Sequence, residues 1–174
     1  MQCFLIVFLL CVDPFAAAAG PLTTRPVDSV AAETFALALS RSAVVRALVA
    51  TLEQSNVIVH IESSLRLPAG IGGTTRFVGA RGGYRYVRIT IGSGLAKTAR
   101  TAILGHELQH ACEIAASEAD DVEGLEQVFA RSGRRNGDFF ETAVAIEIER
   151  RVRLELTAGA AAVLQSEPIA KFDH

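Results

Sequence analysis

Leu95-Ala-Lys-Thr-Ala-Arg-Thr-Ala-Ile-Leu-Gly-His106-Glu107-Leu-Gln-His110-Ala-Cys-Glu-Ile-Ala-Ala116 is the stretch on which the reading of the chain turns. It holds no proline and is rich in alanine and leucine, which favours a helix. Leu104, Leu108, Ala111, Cys112 and Ala115 cluster on one side and are expected to bury against the rest of the domain. His106 and His110, one turn apart, share the other side with Ala99, Ala102 and Ile103. Two imidazoles at this spacing can reach one ion, with metal–nitrogen distances near ~2.0–2.1 Å. Glu107 lies about 100° around the helix from His106. It is placed to flank such an ion rather than to bind it, and there it can take a proton from a water. The pattern is H-E-x-x-H on a helix.

Outward from this helix, the N-terminal side reads as follows. Asp28 or Ser29 can cap a helical pattern that runs to about Gln54 and is open to a break at Ser40–Ser42. Asn56–Glu62 is β-branched and alternating, hence a strand. Residues 65–73 form a Pro/Gly loop. Thr74–Ala80 and Tyr84–Ile91 are strand-like and joined at Arg81-Gly82-Gly83, which predicts a hairpin. On the C-terminal side, an acidic connection leads to a short helix around Leu125–Ala130. A basic loop follows over Ser132–Gly137, then a last helix from Phe139 to about Leu156. There is no internal repeat and no second core, so residues 29–174 are expected to form one small α+β domain. Its parts are an N-terminal helix, a short mixed or antiparallel sheet, the His106–His110 helix and a C-terminal helix.

Composition sets the bounds. Of 174 residues, 50% are apolar and 21% charged, which suits a globular core and excludes a disordered chain. The net charge of −2 argues against a protein whose main work is gripping nucleic acid or an anionic membrane. Cys3–Val12 is an unbroken apolar run, stopped by Asp13-Pro14 and followed by Ala16–Ala19. This predicts an export signal over residues 1–19, cleaved near Ala19, although no Lys or Arg precedes the run. Residues 20–28 read as a flexible tether. The exported chain would keep one cysteine, Cys112, and so have no internal disulfide. No run reaches the ~20 apolar residues that span a bilayer, so no membrane insertion is expected after signal cleavage.

His106-Glu-Leu-Gln-His110 with its flanking helix resembles the zincin metallopeptidases. The resemblance implies that His106 and His110 hold Zn²⁺ and that Glu107 is general base and proton shuttle. It also implies a peptide or protein substrate. The branch with a third histidine does not match, because Glu113 and Ala116 occupy the two positions where that branch has Gly and His. The third ligand is therefore expected to be a carboxylate, as in the gluzincin branch, which carries it on a separate, later helix.

Glu141 is the preferred candidate. With Ala145, Ile148, Val152 and Leu156 it shares a stripe that is otherwise apolar, and a carboxylate heading a buried stripe needs a partner. Asp138-Phe-Phe-Glu141 also has capping-box spacing, so a purely local role for Glu141 stays open. Glu113, three residues past His110, is read as orienting a histidine. Tyr84 and Tyr86 are candidate donors to a developing oxyanion, and Tyr84–Ile91 is a candidate edge for an extended substrate. Arg76, Arg81, Arg85 and Arg88 form a basic cluster near the hairpin, without a recognisable nucleic-acid module. The leading expectation is a zinc metallopeptidase. The alternatives are a zinc-stabilised binding domain without activity and a di-iron helix bundle, which lacks its second Glu-x-x-His.

Overall fold

Alternation along two strands decides which way the sheet faces. In β2 (Val57–Ser64) and β4 (Tyr84–Gly92), Val57, Val59, Ile61, Val87, Ile89 and Ile91 are buried on one face. The computed structural model describes residues 23–136 and 139–166, so the export signal expected over 1–19 lies outside the described residues. β1 (Thr24–Pro26) leads through α1 (Ser29–Arg41) and α2 (Ala43–Glu53) to β2, and the two strands pair in parallel. β3 (Gly73–Arg81) and β4 form the hairpin, with Gly82 and Gly83 at φ 61° and 81° in the two-residue turn. The sheet order is β1-β2-β4-β3, mixed, with β3 an open edge. The register slips between Phe77 and Gly79, a bulge in that edge strand.

The remaining elements are α3 (Lys97–Ala116), α4 (Val122–Ser132), β5 (Arg134–Asn136), β6 (Phe139–Glu141) and α5 (Ala143–Ser166). The result is α+β, with α3 in contact with the sheet on one side and with α1, α2 and α5 on others. The break at Ser42 is real: the chain bends by 110° between α1 and α2. The Ser42 hydroxyl, turned to Val45 N at 3.1 Å, caps α2. Among the described residues no single helix is long and apolar enough to cross a membrane.

Three expectations are corrected. The tether is not free, since Thr24–Pro26 is β1, with Thr23 and Thr24 buried. The basic loop and the start of the last helix are instead a two-stranded sheet, β5 against β6, so Glu141 stands on a strand. Helix α5 begins only after Thr142, whose hydroxyl accepts from Ala145 N at 3.1 Å. Asp138, where the alternative capping box would begin, lies outside the described residues. Along α3, Arg100, Thr101, Gly105, His106, Glu107 and His110 are buried together with its apolar residues.

Two buried arginines pin the ends of α3. Arg100 donates to Thr34 Oγ1 (3.1 Å) and to the carbonyl of Ser93 (3.1 Å). Arg85 donates to the carbonyls of Ile114 (2.8 Å), Ala115 (3.0 Å) and Ser117 (2.7 Å), and to Asn56 Oδ1 (2.8 Å). It thus satisfies the orphan carbonyls of the helix end and complements its dipole. In the middle, Gly105 meets α5 so closely that a Cβ there would lie 2.8 Å from Val152 Cγ2.

Two predictions follow from this packing. Gly105→Ala gains about 1 kcal/mol of helix propensity but overpacks the α3–α5 contact at a cost of about 1–3 kcal/mol. The variant melts lower in urea. Combined with Val152→Ala, it loses less than the two single losses together, by about 1 kcal/mol. Asp28 caps α1 through Ala31 N (2.8 Å) and receives Ser63 N (2.6 Å) and Ser63 Oγ (2.9 Å). Burial pushes its carboxyl up, but these hydrogen bonds outweigh that and hold it below the usual range. A lowered folded pKa contributes stability above the unfolded value of 3.8 and loses it as pH falls through the folded value. Asp28→Ala therefore costs about 1–3 kcal/mol at pH 6, and the gap to wild type closes as acid unfolding is followed below pH 4.

Candidate metal centre

Three polar atoms converge at the junction of α3 and β6. His106 Nε2 lies 3.1 Å from Glu141 Oε1 and 3.2 Å from His110 Nε2, and the third side, His110 Nε2 to Glu141 Oε1, is 3.9 Å. A tetrahedral ion with arms of ~2.1 Å separates its ligand atoms by roughly 3.4 Å. The triangle matches that spacing on average. Glu141 Oε1 is buried and has no hydrogen-bond partner among the described residues, which is costly unless something else meets it. The donor set of two imidazoles and one carboxylate suits zinc. These residues fit the ion that the resemblance implies.

The far nitrogen of each histidine faces another carboxylate. Glu113 Oε2 is 2.9 Å from His110 Nδ1. Glu113 in turn receives Thr142 Oγ1 (2.8 Å) and Gln109 Nε2 (3.2 Å) at its other oxygen. Glu149 Oε2, on α5, lies 3.4 Å from His106 Nδ1, long for a hydrogen bond, and is held from behind by Arg153 at 2.6 Å. At His110 the carboxylate on Nδ1 favours the tautomer that leaves Nε2 free to bind. Charge follows this geometry. Burial alone would push His106 down, and the carboxylates of Glu149, Glu107 and Glu141 outweigh it and hold its pKa above the ordinary value. Burial would raise Glu113, but its bonds from His110 and Thr142 bring it below the usual range. Glu149 is held low by His106 against the opposing effect of burial.

Glu107 is buried beside the same cleft. Burial pushes its carboxyl up, against the lowering pull of His106 and His110. Its Oε2 accepts from Thr75 Oγ1 at 2.7 Å. One strand position earlier on the same face, Gly73 has no side chain to spare, because a Cβ there would lie 2.9 Å from Glu107 Cγ and Oε1. The edge strand therefore touches the glutamate through a hydroxyl and a bare backbone.

The cleft has a volume of about 660 Å³. One wall is β3, from Gly73 to Phe77, and the opposite wall is α4 with Leu125 and Phe129. Phe129 makes an edge contact with His110 at a centroid distance of 6.0 Å and stacks on Phe140 at 5.8 Å.

The structure thus brings together His106, Glu107, His110, Glu113 and Glu141. It does not bring Tyr84 or Tyr86, which share a strand face opposite to buried Arg85, Val87 and Ile89 and do not line the cleft. Nor is Tyr84–Gly92 an edge, since β4 lies between β2 and β3. Arg85 is a helix cap rather than part of an open basic cluster. Cys112, on the core side, is buried, and burial pushes its thiol up to about 12, so it is no ligand. Sequence reasoning missed Thr75 and Gly73, whose contacts depend on non-local pairing, and gave Glu149 no role. The apolar wall carried a signal in Val122, Leu125 and Phe129, spaced i, i+3, i+7.

Compared with known proteins, the chain matches no family model, no curated protein and no solved structure at a significant level.

Proposed function

We propose that the protein is a zinc-dependent hydrolase, most simply a metallopeptidase of gluzincin type. The observation that carries this reading is the triangle of His106 Nε2, His110 Nε2 and Glu141 Oε1, opening on a cleft that Glu107 also lines. These three side chains would hold the ion. A zinc ion, when bound there, supplies a Lewis acid for a scissile carbonyl and lowers the pKa of water.

The chain's own groups supply the rest. Burial raises the proton affinity of the Glu107 carboxylate, which suits it to accept a proton from the attacking water and return it to the leaving amine. Thr75 fixes the oxygen Oε2, which orients the other oxygen toward the cleft. Gly73 lets the edge strand approach without a side chain between substrate and base. The open edge of β3 offers backbone N–H and C=O groups to an extended peptide, which supports a polypeptide substrate. Leu125, Phe129 and Phe140 offer an apolar wall to one of its side chains. Export from the cytoplasm, read from residues 1–19, is part of the same proposal.

The test is metal analysis joined to turnover. Purified protein is expected to carry one zinc per chain, and His106→Ala and Glu141→Ala to lose it. Glu107→Gln is expected to keep the metal and to cleave a peptide library about 10²–10⁴-fold more slowly. Wild-type protein with no metal sinks the proposal. Metal retained with no cleavage by wild type leaves a zinc-stabilised binding domain in its place.

A further inference from the structure

The face of the sheet turned away from the helices carries a row of basic side chains, three arginines and a histidine. Arg25 on β1 is the cross-strand partner of His60 on β2, His60 of Arg88 on β4, and Arg88 of Arg76 on β3. Their neighbours Thr24, Val59, Val87 and Phe77 point to the core side, so all four of the row point outward. At ~4.8 Å per strand the row spans roughly 14 Å. Like charges placed directly opposite, as Arg76 and Arg88 are, repel, and natural sheets usually avoid it. Arg88 meets Glu62 at 3.7 Å, a partly solvated pair that offsets little of this repulsion.

Arg81, beside the hairpin turn, extends the basic face, and Tyr86 lies next to the row opposite Ile58. Arg76 belongs to both regions. It ends the row on the edge strand and also lies on the rim of the cleft that holds Glu107.

We propose that this face is a docking surface for an acidic segment of the polypeptide substrate, which leaves the cleft past Arg76 and crosses the sheet over Arg88 toward His60 and Arg25. The identification of the ligand as a polypeptide rests on the peptidase reading above. Charge complementarity selects acidic side chains, and continuity with the cleft selects a ligand that also occupies it. The shortness of the row and a net charge of −2 for the whole chain disfavour a long, dense polyanion.

Binding is measured on Glu107→Gln protein by fluorescence anisotropy at low ionic strength. The probes are a labelled peptide with an apolar head and a run of glutamates, and its glutamine counterpart. The glutamate peptide is expected to bind about tenfold tighter, and rising salt is expected to erase the difference. Adding Arg76→Gln and Arg88→Gln is expected to abolish the preference without lowering the melting temperature. Equal binding of the two peptides overturns the proposal, as does a preference that survives both arginine substitutions. It is also overturned if a thymidine oligonucleotide or phosphatidylglycerol vesicles displace the glutamate peptide and bind more tightly. Glutamate preference in a protein that cleaves nothing sinks the peptidase reading and leaves this surface standing. Cleavage without glutamate preference does the reverse.

Discussion

A helix buried on nearly all sides cannot carry charge unless every polar atom is met, and α3 carries four such side chains in its interior. Arg100, Glu107 and His110 are each given a partner by another residue: Thr34 from α1, Thr75 from β3, and Glu113 from the next turn. His106 is approached on Nδ1 by Glu149 from α5. Once these are accounted for, the polar atoms left converging are the two Nε2 nitrogens and Glu141 Oε1. Burying ionisable groups is expensive. The proposed cation would offset that cost in a place where water is scarce.

The elements that meet these groups also shape the cleft. β3 supplies the hydroxyl on Glu107 and, at Gly73, the close backbone approach. Thr142 caps α5 and braces Glu113 with the same hydroxyl, so the start of that helix and the orientation of His110 are set together. Arg85 and Arg100 fix the two ends of α3 against the sheet and against α1, which limits sliding of the histidines relative to Glu141.

Local patterns carried much of this. The H-E-x-x-H turn, the break at Ser42 and the Gly82-Gly83 turn are decided by spacing, capping and positive φ within a few residues, and each was legible. Glu141 shows where local reasoning stops. Ala145, Ile148 and Val152 do form a buried helical stripe, and extending it back to Glu141 was consistent with period. Thr142 ends the helix there, and pairing with β5 draws Phe139–Glu141 into extended backbone instead. The sheet order was not legible, because a hairpin pattern does not say which of its strands will pair with β2. The same gap hid the row of basic side chains, whose members come from four strands and are neighbours only through register. Pro26, which reads as a breaker, is tolerated because a short edge strand can spare its N–H.

The open margin of β3 has a second side to it. The backbone groups of an edge strand that point away from its partner can template stacking of one copy on another and lead to fibrous association. Arg76 and Arg81 put charge on that margin, and the kink between Phe77 and Gly79 interrupts its straight run of donors and acceptors. A short, irregular visitor can still lie along it, whereas a long flat strand from an identical molecule meets both repulsion and mismatch. The strand that would admit the proposed ligand is thereby guarded against self-assembly.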